Sequence, residues 1–399
     1  MSFVILTILI ILLDIITERG LQKTFPKFAS ARRKGIRRSL IIQSAASVAL
    51  LLCGLILQRR IGDYRFFAWY YYLFGCMATL YAPKAVFAVF LFVDRYIPKT
   101  RYIVSKCGFW AGFVVVGIFV WSIFCGRYHF TVEQVEISFD DLPTAFNGYK
   151  IVQISDIHAG SFAGAANNFQ KAVDLINIQE PDLIVITGDM VNNFAEEIMP
   201  MIPIFSQMNA RAGKFAILGN HDYGGYHNWN SDADSVVNHK AIINNIEQMG
   251  FMLLNNQSVV LRQDSDFIAL VGVENWSVTK KRPKIGNIEK AMEDGDLPFK
   301  ILLSHDPSFW HEMIRGKTDI ALTLSGHTHG MQMGVKIGKK TYSLGLLRGF
   351  RYLSGLYQKD RQYLYVNRGL GVIGFPGRFG MSPEITVITL HKDLTNNRE

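Results

Sequence analysis

Five short runs set oxygen and imidazole donors side by side in the C-terminal two-thirds of this 399-residue chain. They are Asp156-Ile157-His158, Gly188-Asp189, Gly219-Asn220-His221-Asp222, Ser304-His305-Asp306 and Gly326-His327-Thr328-His329. Each follows an apolar, strand-like stretch. Ligands of an open sheet gather beyond the carboxyl ends of its strands, so Asp156, Asp189, Asn220 and His305 can point into one crevice. In Asp-x-His and His-x-His, alternate residues of an extended turn face the same way. Mixed N/O donors brought together on separate strand ends suit a two-metal hydrolytic site. A lone histidine is more often a core or surface residue, but five such runs in one region make that reading weak.

The elements needed to position these donors are legible nearby. Short β-branched runs at 150–155, 182–187, 214–218, 267–273, 300–303, 320–324, 363–366 and 384–390 predict strands. Helix-like segments lie at about 166–179, 195–210, 234–249 and 307–315. The alternation predicts an α/β architecture for residues 128–399.

The motifs taken in order resemble the calcineurin-like metallophosphoesterase superfamily over about residues 148–390. Gly326-His327-Thr328-His329-Gly330 and the later Arg368-Gly369-Leu370-Gly371 look most like its membrane-anchored bacterial branch. The resemblance implies two facing mixed β-sheets flanked by helices, a four-layer fold. It implies that Asp156, His158 and His329 bind one metal, that Asn220, His305 and His327 bind a second, and that Asp189 bridges them. A bridging carboxylate holds two cations roughly 3.5–4 Å apart. The donor set suits Mn, or an Fe/Zn pair, and shows no thiolate selection. His221 follows Asn220 directly and is the candidate acid for the leaving group. Asp222 is expected to orient it, with a plain turn role before Tyr223-Gly224-Gly225 as the alternative. Asp306 and Ser155 read as structural. Arg368 and Arg378 are the candidate phosphate contacts.

The N-terminal region is of another kind. Residues 1–127 hold 17 Lys+Arg against 4 Asp+Glu, whereas residues 128–399 hold 25 against 29. The formal +9 therefore belongs to the apolar part, and nucleic acid is not an expected partner. Apolar runs at 2–17, 39–57, 66–93 (interrupted by Pro83) and 108–125 predict an all-α membrane region of about four spans over 1–127. A signal peptide would carry basic residues before its apolar stretch; here they follow, from Arg19 to Arg38. The loops 18–38 and 95–107 carry twelve Lys/Arg against five on the other side. This predicts a bacterial cytoplasmic-membrane protein with its C-terminal domain outside the cytoplasm. Cys53, Cys76, Cys107 and Cys125 lie in or beside this region, without metal-site or disulfide spacing.

Gly-Asp-Met-Val-Asn-Asn and Asn-His-Asp depart from the protein Ser/Thr phosphatase pattern. Lys336, Lys339, Lys340, Arg348, Arg351, Lys359 and Arg361, with Lys280, Lys281, Arg282 and Lys284, are interleaved with apolar residues. That pattern fits a face lying on anionic lipid, or equally an ordinary solvated surface. The expected function is hydrolysis of a phosphomonoester, phosphodiester or pyrophosphate bond, in a lipid or envelope precursor at the bilayer. The alternatives are a tethered phosphodiesterase for soluble substrates and a catalytically silent membrane scaffold.

Overall fold

The computed structural model describes residues 3–57, 61–97, 102–278, 284–293, 297–337, 340–343, 345 and 349–393. It divides into two compact units. One holds Met1–Gly62, Trp69–Cys125 and Gly374–Gly377; the other holds Asp63–Ala68, Gly126–Ile373 and Arg378–Glu399.

The first unit is helical: α1 (Phe3–Thr24), α2 (Pro26–Leu57), α3 (Tyr64–Arg95) and α4 (Ile103–Phe124). Three of these, α2, α3 and α4, are long and apolar enough to cross a membrane, against the expected four. The first, α1, carries Asp14, Glu18 and Arg19 within its length. The expected basic loop 18–38 is also corrected, since α1 and α2 run through it with a break at Phe25. Lys and Arg are good helix formers, and Pro26 sits at a helix's first position, where its missing N–H costs nothing. The 66–93 run is one helix with Pro83 inside it. At 1.5 Å per residue a 32-residue helix spans about 48 Å, longer than the hydrocarbon layer of about 30 Å.

Apolar side chains of this unit face outward, among them Ile8, Phe92, Trp110 and Phe113. Among its buried polar groups, Lys84 reaches Asp14 and, at 3.0 Å, Gln43. All four cysteines are free. This is the surface and interior of a membrane protein.

The second unit contains β1 (Thr131–Phe139), β2 (Lys150–Ile154), β3 (Leu183–Ile186), β4 (Lys214–Ala216), β5 (Met252–Leu253), β6 (Gln257–Gln263) and β7 (Asp266–Gly272). It continues with β8 (Lys300–Leu303), β9 (Leu322–Ser325), β10 (Gly334–Ile337), β11 (Lys340–Ser343), β12 (Gly355–Lys359), β13 (Gln362–Val366) and β14 (Glu384–Lys392). One six-stranded sheet has the order β1-β14-β2-β3-β4-β5 and the other β12-β13-β9-β8-β7-β6. In the first, β2 to β5 run parallel and β14 is antiparallel to β2. In the second, β13, β9, β8 and β7 run parallel between antiparallel edges. Both sheets are mixed, and β10 and β11 form a separate pair.

Residues alternate along each strand between two cores. Leu183 and Val185 of β3 join Ile301 and Leu303 of β8 between the sheets. Ile184 and Ile186 instead pack with α5 (Gln170–Ile178), α6 (Ile202–Phe205) and α7 (Asp232–Gln248). On the far side, Leu302 and Val366 meet α8 (Ile288–Met292) and a π-helical turn at Trp310–Ile314. The result is the four-layer arrangement. Both faces of the central strands are covered, so they read as unbroken apolar runs rather than alternating ones. The predicted helix at 195–210 shrinks to short turns and α6, because Pro200 and Pro203 interrupt it. By contrast α7 is capped: Ser231 Oγ accepts from Asp234 N at 3.1 Å.

Candidate metal centre

Strands β2, β3 and β4 end on one edge of the first sheet, and β8 and β9 end on one edge of the second. Every predicted donor follows one of these five ends. Two groups result: Asp156 with His158 and His329, and Asp189 with His305 and His327. Within each group the ligand atoms lie within 4.8 Å of one another.

In the first group His329 Nε2 lies 3.3 Å from Asp156 Oδ1 and 3.1 Å from His158 Nε2. In the second, His305 Nε2 lies 3.1 Å from both Asp189 Oδ2 and His327 Nδ1. Asp189 Oδ2 is also 3.7 Å from His158 Nε2, so this one oxygen stands between the groups. His305 Nδ1 donates to Thr187 O at 2.8 Å, which leaves Nε2 as the ring's lone pair toward the centre. Asn220 donates from Nδ2 to Tyr226 Oη at 2.9 Å, while its buried Oδ1 has no protein partner. Asn220 precedes His221, whose N–H donates to Asp189 Oδ1 at 2.9 Å; a buried carbonyl oxygen without a donor, together with imidazole nitrogens facing one another, fits divalent cations held by N and O.

The backbone is strained where these donors stand. Asp156, His158, Asp189, His327 and His329 all have positive φ, between 45° and 74°. That region disfavours non-glycine residues and recurs at functional sites. The motif glycines serve the same crowding. A Cβ on Gly219 would strike the Asp189 carboxylate, and one on Gly326 would strike Asp156 Oδ2 and Ser155 Oγ.

Burial sets the electrostatics. It pushes Asp156 up to about 6, a rise that His305 opposes. Burial and the charge of His221 push His158 down to about 3, so its ring is neutral at pH 7. Burial works against charge on both Asp189 and His305, but their mutual attraction wins: Asp189 falls well below the carboxylate range and His305 rises to about 10.

His221 is fixed by Nδ1 against Asn192 O at 2.8 Å and by stacking on Tyr226 with ring centroids 4.2 Å apart. Its ring also lies 4.8 Å from that of His158. Asp222 departs from expectation. Its carboxylate accepts from the backbone N–H of Asp189, Met190, Val191 and Gly219 at 2.8–3.2 Å. It therefore positions the Asp189 loop, and the peptide of Asn192 orients His221. Burial and Asp189 push Asp222 up to about 7, against the N–H groups that favour its charge.

Both candidate arginines are committed to partners within the protein. Arg368 is buried between Glu384 and Glu133, the latter at 2.7 Å. Arg378 is fully buried and donates to Gly371 O at 2.8 Å, Arg368 O at 2.8 Å and Met381 O at 3.1 Å. Arg378 also meets His329 at the backbone O and, from Nη2, at ring Nδ1 3.3 Å away, so it braces that residue. Of the other basic residues singled out, Lys280, Lys281, Arg282, Lys339 and Arg348 lie outside the described residues, as do the side chains of Lys336 and Lys340.

Sequence reasoning missed Glu197, which accepts from the N–H groups of Gly160, Asn192, Asn193 and Phe194. With Asp222 it holds loop 189–194 from both sides. A single glutamate in a helix-like stretch gave no signal of this.

Residues 149–331 match the family model described as calcineurin-like phosphoesterase. An uncharacterized metallophosphoesterase of Bacillus subtilis, YkuE, is 33% identical over 62% of this chain and 81% of its own length. A bovine transmembrane protein with metallophosphoesterase domain is 32% identical over 65% of this chain, which spans only 56% of that protein. UDP-2,3-diacylglucosamine pyrophosphatase LpxG of Chlamydia trachomatis is 30% identical over 62% of this chain and 86% of its own length. The chain belongs to the calcineurin-like metallophosphoesterase family and is a phosphoric ester hydrolase.

Proposed function

We propose that this protein is a dinuclear-metal phosphoesterase acting on a phosphoester of a lipid or envelope precursor at the membrane surface. The observation that carries the reading is Asp189 Oδ2 standing 3.1 Å from His305 and 3.7 Å from His158, one from each group. Asp156, His158 and His329 would hold one cation, and Asn220, His305 and His327 the other, with Asp189 shared. Mn, or an Fe/Zn pair, fits these donors. When bound, such a pair activates water and offsets charge on the phosphoryl oxygens.

The chain's own groups do the rest. Asp222 and Glu197 fix the backbone of the Asp189 loop, so the donors need little rearrangement during reaction. His221 has Nδ1 committed to Asn192, so Nε2 is the ring atom that delivers a proton to the leaving oxygen. The balance is simple: a water oxygen bonds to phosphorus, the bond to the leaving oxygen breaks, and His221 supplies that oxygen's proton. Water's own proton is lost to solvent.

The lipid part rests on the three spans and on the similarity to an enzyme named for a diacylated sugar diphosphate. The basic bias of the N-terminal helices favours an extracytoplasmic catalytic unit in a bacterial cytoplasmic membrane. The test compares metal content and turnover of the purified protein on detergent-dispersed lipid phosphoesters and on cyclic nucleotides. Two bound metals and a preference for lipid support the reading. A preference for the soluble compounds removes the lipid part. Failure to bind metal or to cleave any phosphoester favours a silent scaffold.

A further inference from the structure

Next to the second His/Asp group lies a cavity of about 340 Å³. Asp306, His327, His311, Phe350, Arg351 and Tyr352 are among the residues that line it. Around His311 the donors exceed the acceptors. Its Nδ1 faces Tyr352 Oη at 3.0 Å, Arg351 Nη1 at 3.2 Å and Arg315 Nη1 at 3.3 Å. Arg351 also reaches Nε2 of the same ring. One imidazole nitrogen has a single lone pair, so it satisfies one of these donors at most. Neither guanidinium has a carboxylate partner among the described residues. Glu312 also lines the cavity; it and Arg351 are both exposed, so solvent screens both charges, while Arg315 is half-buried. Two cations drawn onto one ring, short of acceptors and beside a phosphoesterase centre, form a site for an anion with several oxygens.

We propose that this cavity receives the part of the substrate beyond the scissile phosphorus, and that Arg351, backed by His311 and Arg315, binds a second phosphate there. The enzyme then selects diphosphate-linked diesters over simple ones. Phe350 and Tyr352 offer ring faces to the group that the second phosphate carries. This inference rests on the phosphoesterase reading of the neighbouring groups and names a specificity element within it.

The experiment uses the full-length holoenzyme in detergent. It compares kcat/KM for a nucleoside diphosphate sugar with that for bis(4-nitrophenyl) phosphate, which has no second phosphate. Arg351→Gln should lower the ratio about tenfold, Arg351→Lys should retain part of it, and Glu312→Gln should raise it. An unchanged ratio, or an equal fall on both substrates, overturns the proposal. Calorimetric titration supplies a second arm, with inorganic pyrophosphate against inorganic phosphate. Arg351→Gln should weaken pyrophosphate binding about tenfold and phosphate binding far less; equal weakening overturns the proposal. If the wild type cleaves neither ester, the phosphoesterase reading fails, and the titration still decides the subsite.

Discussion

The two His/Asp groups use the same donor types but are enclosed differently. Asp156, His158 and His329 are all buried, and His329 sits against the buried guanidinium of Arg378. In the second group His327 is only half-buried and forms a wall of the 340 Å³ cavity. Similar chemistry can thus be embedded in the core on one side and open to a substrate on the other. The difference lies in what surrounds the donors, since both groups hang from equivalent strand ends. On the proposed reading the closed group would hold a cation within the core, while the open group would hold one beside the cavity that His327 lines.

The substitution with the largest effect removes what the groups share. Asp189→Ala should empty both positions and abolish turnover, read as metal per protein by elemental analysis alongside activity. Retention of one full equivalent of metal would show that the groups are independent. Next come the members of each group taken singly. His327→Ala and His329→Ala should each remove about one metal equivalent, but their stabilities should differ. His329→Ala opens a buried void and leaves one Arg378 N–H without its ring contact, at about 1–3 kcal/mol for an unsatisfied group. His327→Ala mostly exposes a half-open edge. Thermal unfolding of the two metal-free variants checks this, and equal losses would refute the contrast between a closed and an open group.

Much of this was legible because ligand residues directly follow apolar strands, where chain direction alone sets where they point. Asp156, Asp189, Asn220, His305 and His327 are all of that kind. What was not legible depends on tertiary placement. Asp222 follows His221 in sequence, which suggests that the two interact. Its carboxylate turns instead to amides some thirty residues earlier. Arg368 and Arg378 look like phosphate ligands by type, and only burial against Glu384 and backbone carbonyls reveals them as braces. Edge strands β1 and β6 escaped because their exposed faces break the apolar run. In the helical unit composition predicted the helices well, but charges near 18–38 looked like a loop, although Lys and Arg favour helix and Pro26 stands at the first position of α2, where it is tolerated.

Smaller effects test how each group is held. His221→Ala should keep both metals and lower kcat about 10²–10⁴-fold, the usual range for a lost general acid; an emptied centre would reassign it as a ligand. Asp222→Asn replaces a carboxylate that accepts four N–H groups with an amide whose NH₂ opposes some of them. It should cost about 3 kcal/mol in unfolding, with activity falling through the displaced Asp189 loop.

Tyr226→Phe is the mildest and the most diagnostic of the open group. It keeps the ring stacked on His221 but removes the hydroxyl that Asn220 Nδ2 contacts. Without that partner the Asn220 amide can rotate its Oδ1 away from the centre. Lost supporting hydrogen bonds of this sort weaken metal affinity about 10–100-fold. The loss should fall on one equivalent only, that of the open group, and appear as a shifted metal titration with kcat restored at saturating metal. If kcat stayed low at saturation, the hydroxyl would act on His221 rather than on Asn220, and the proton donor and the second cation would be coupled through one tyrosine.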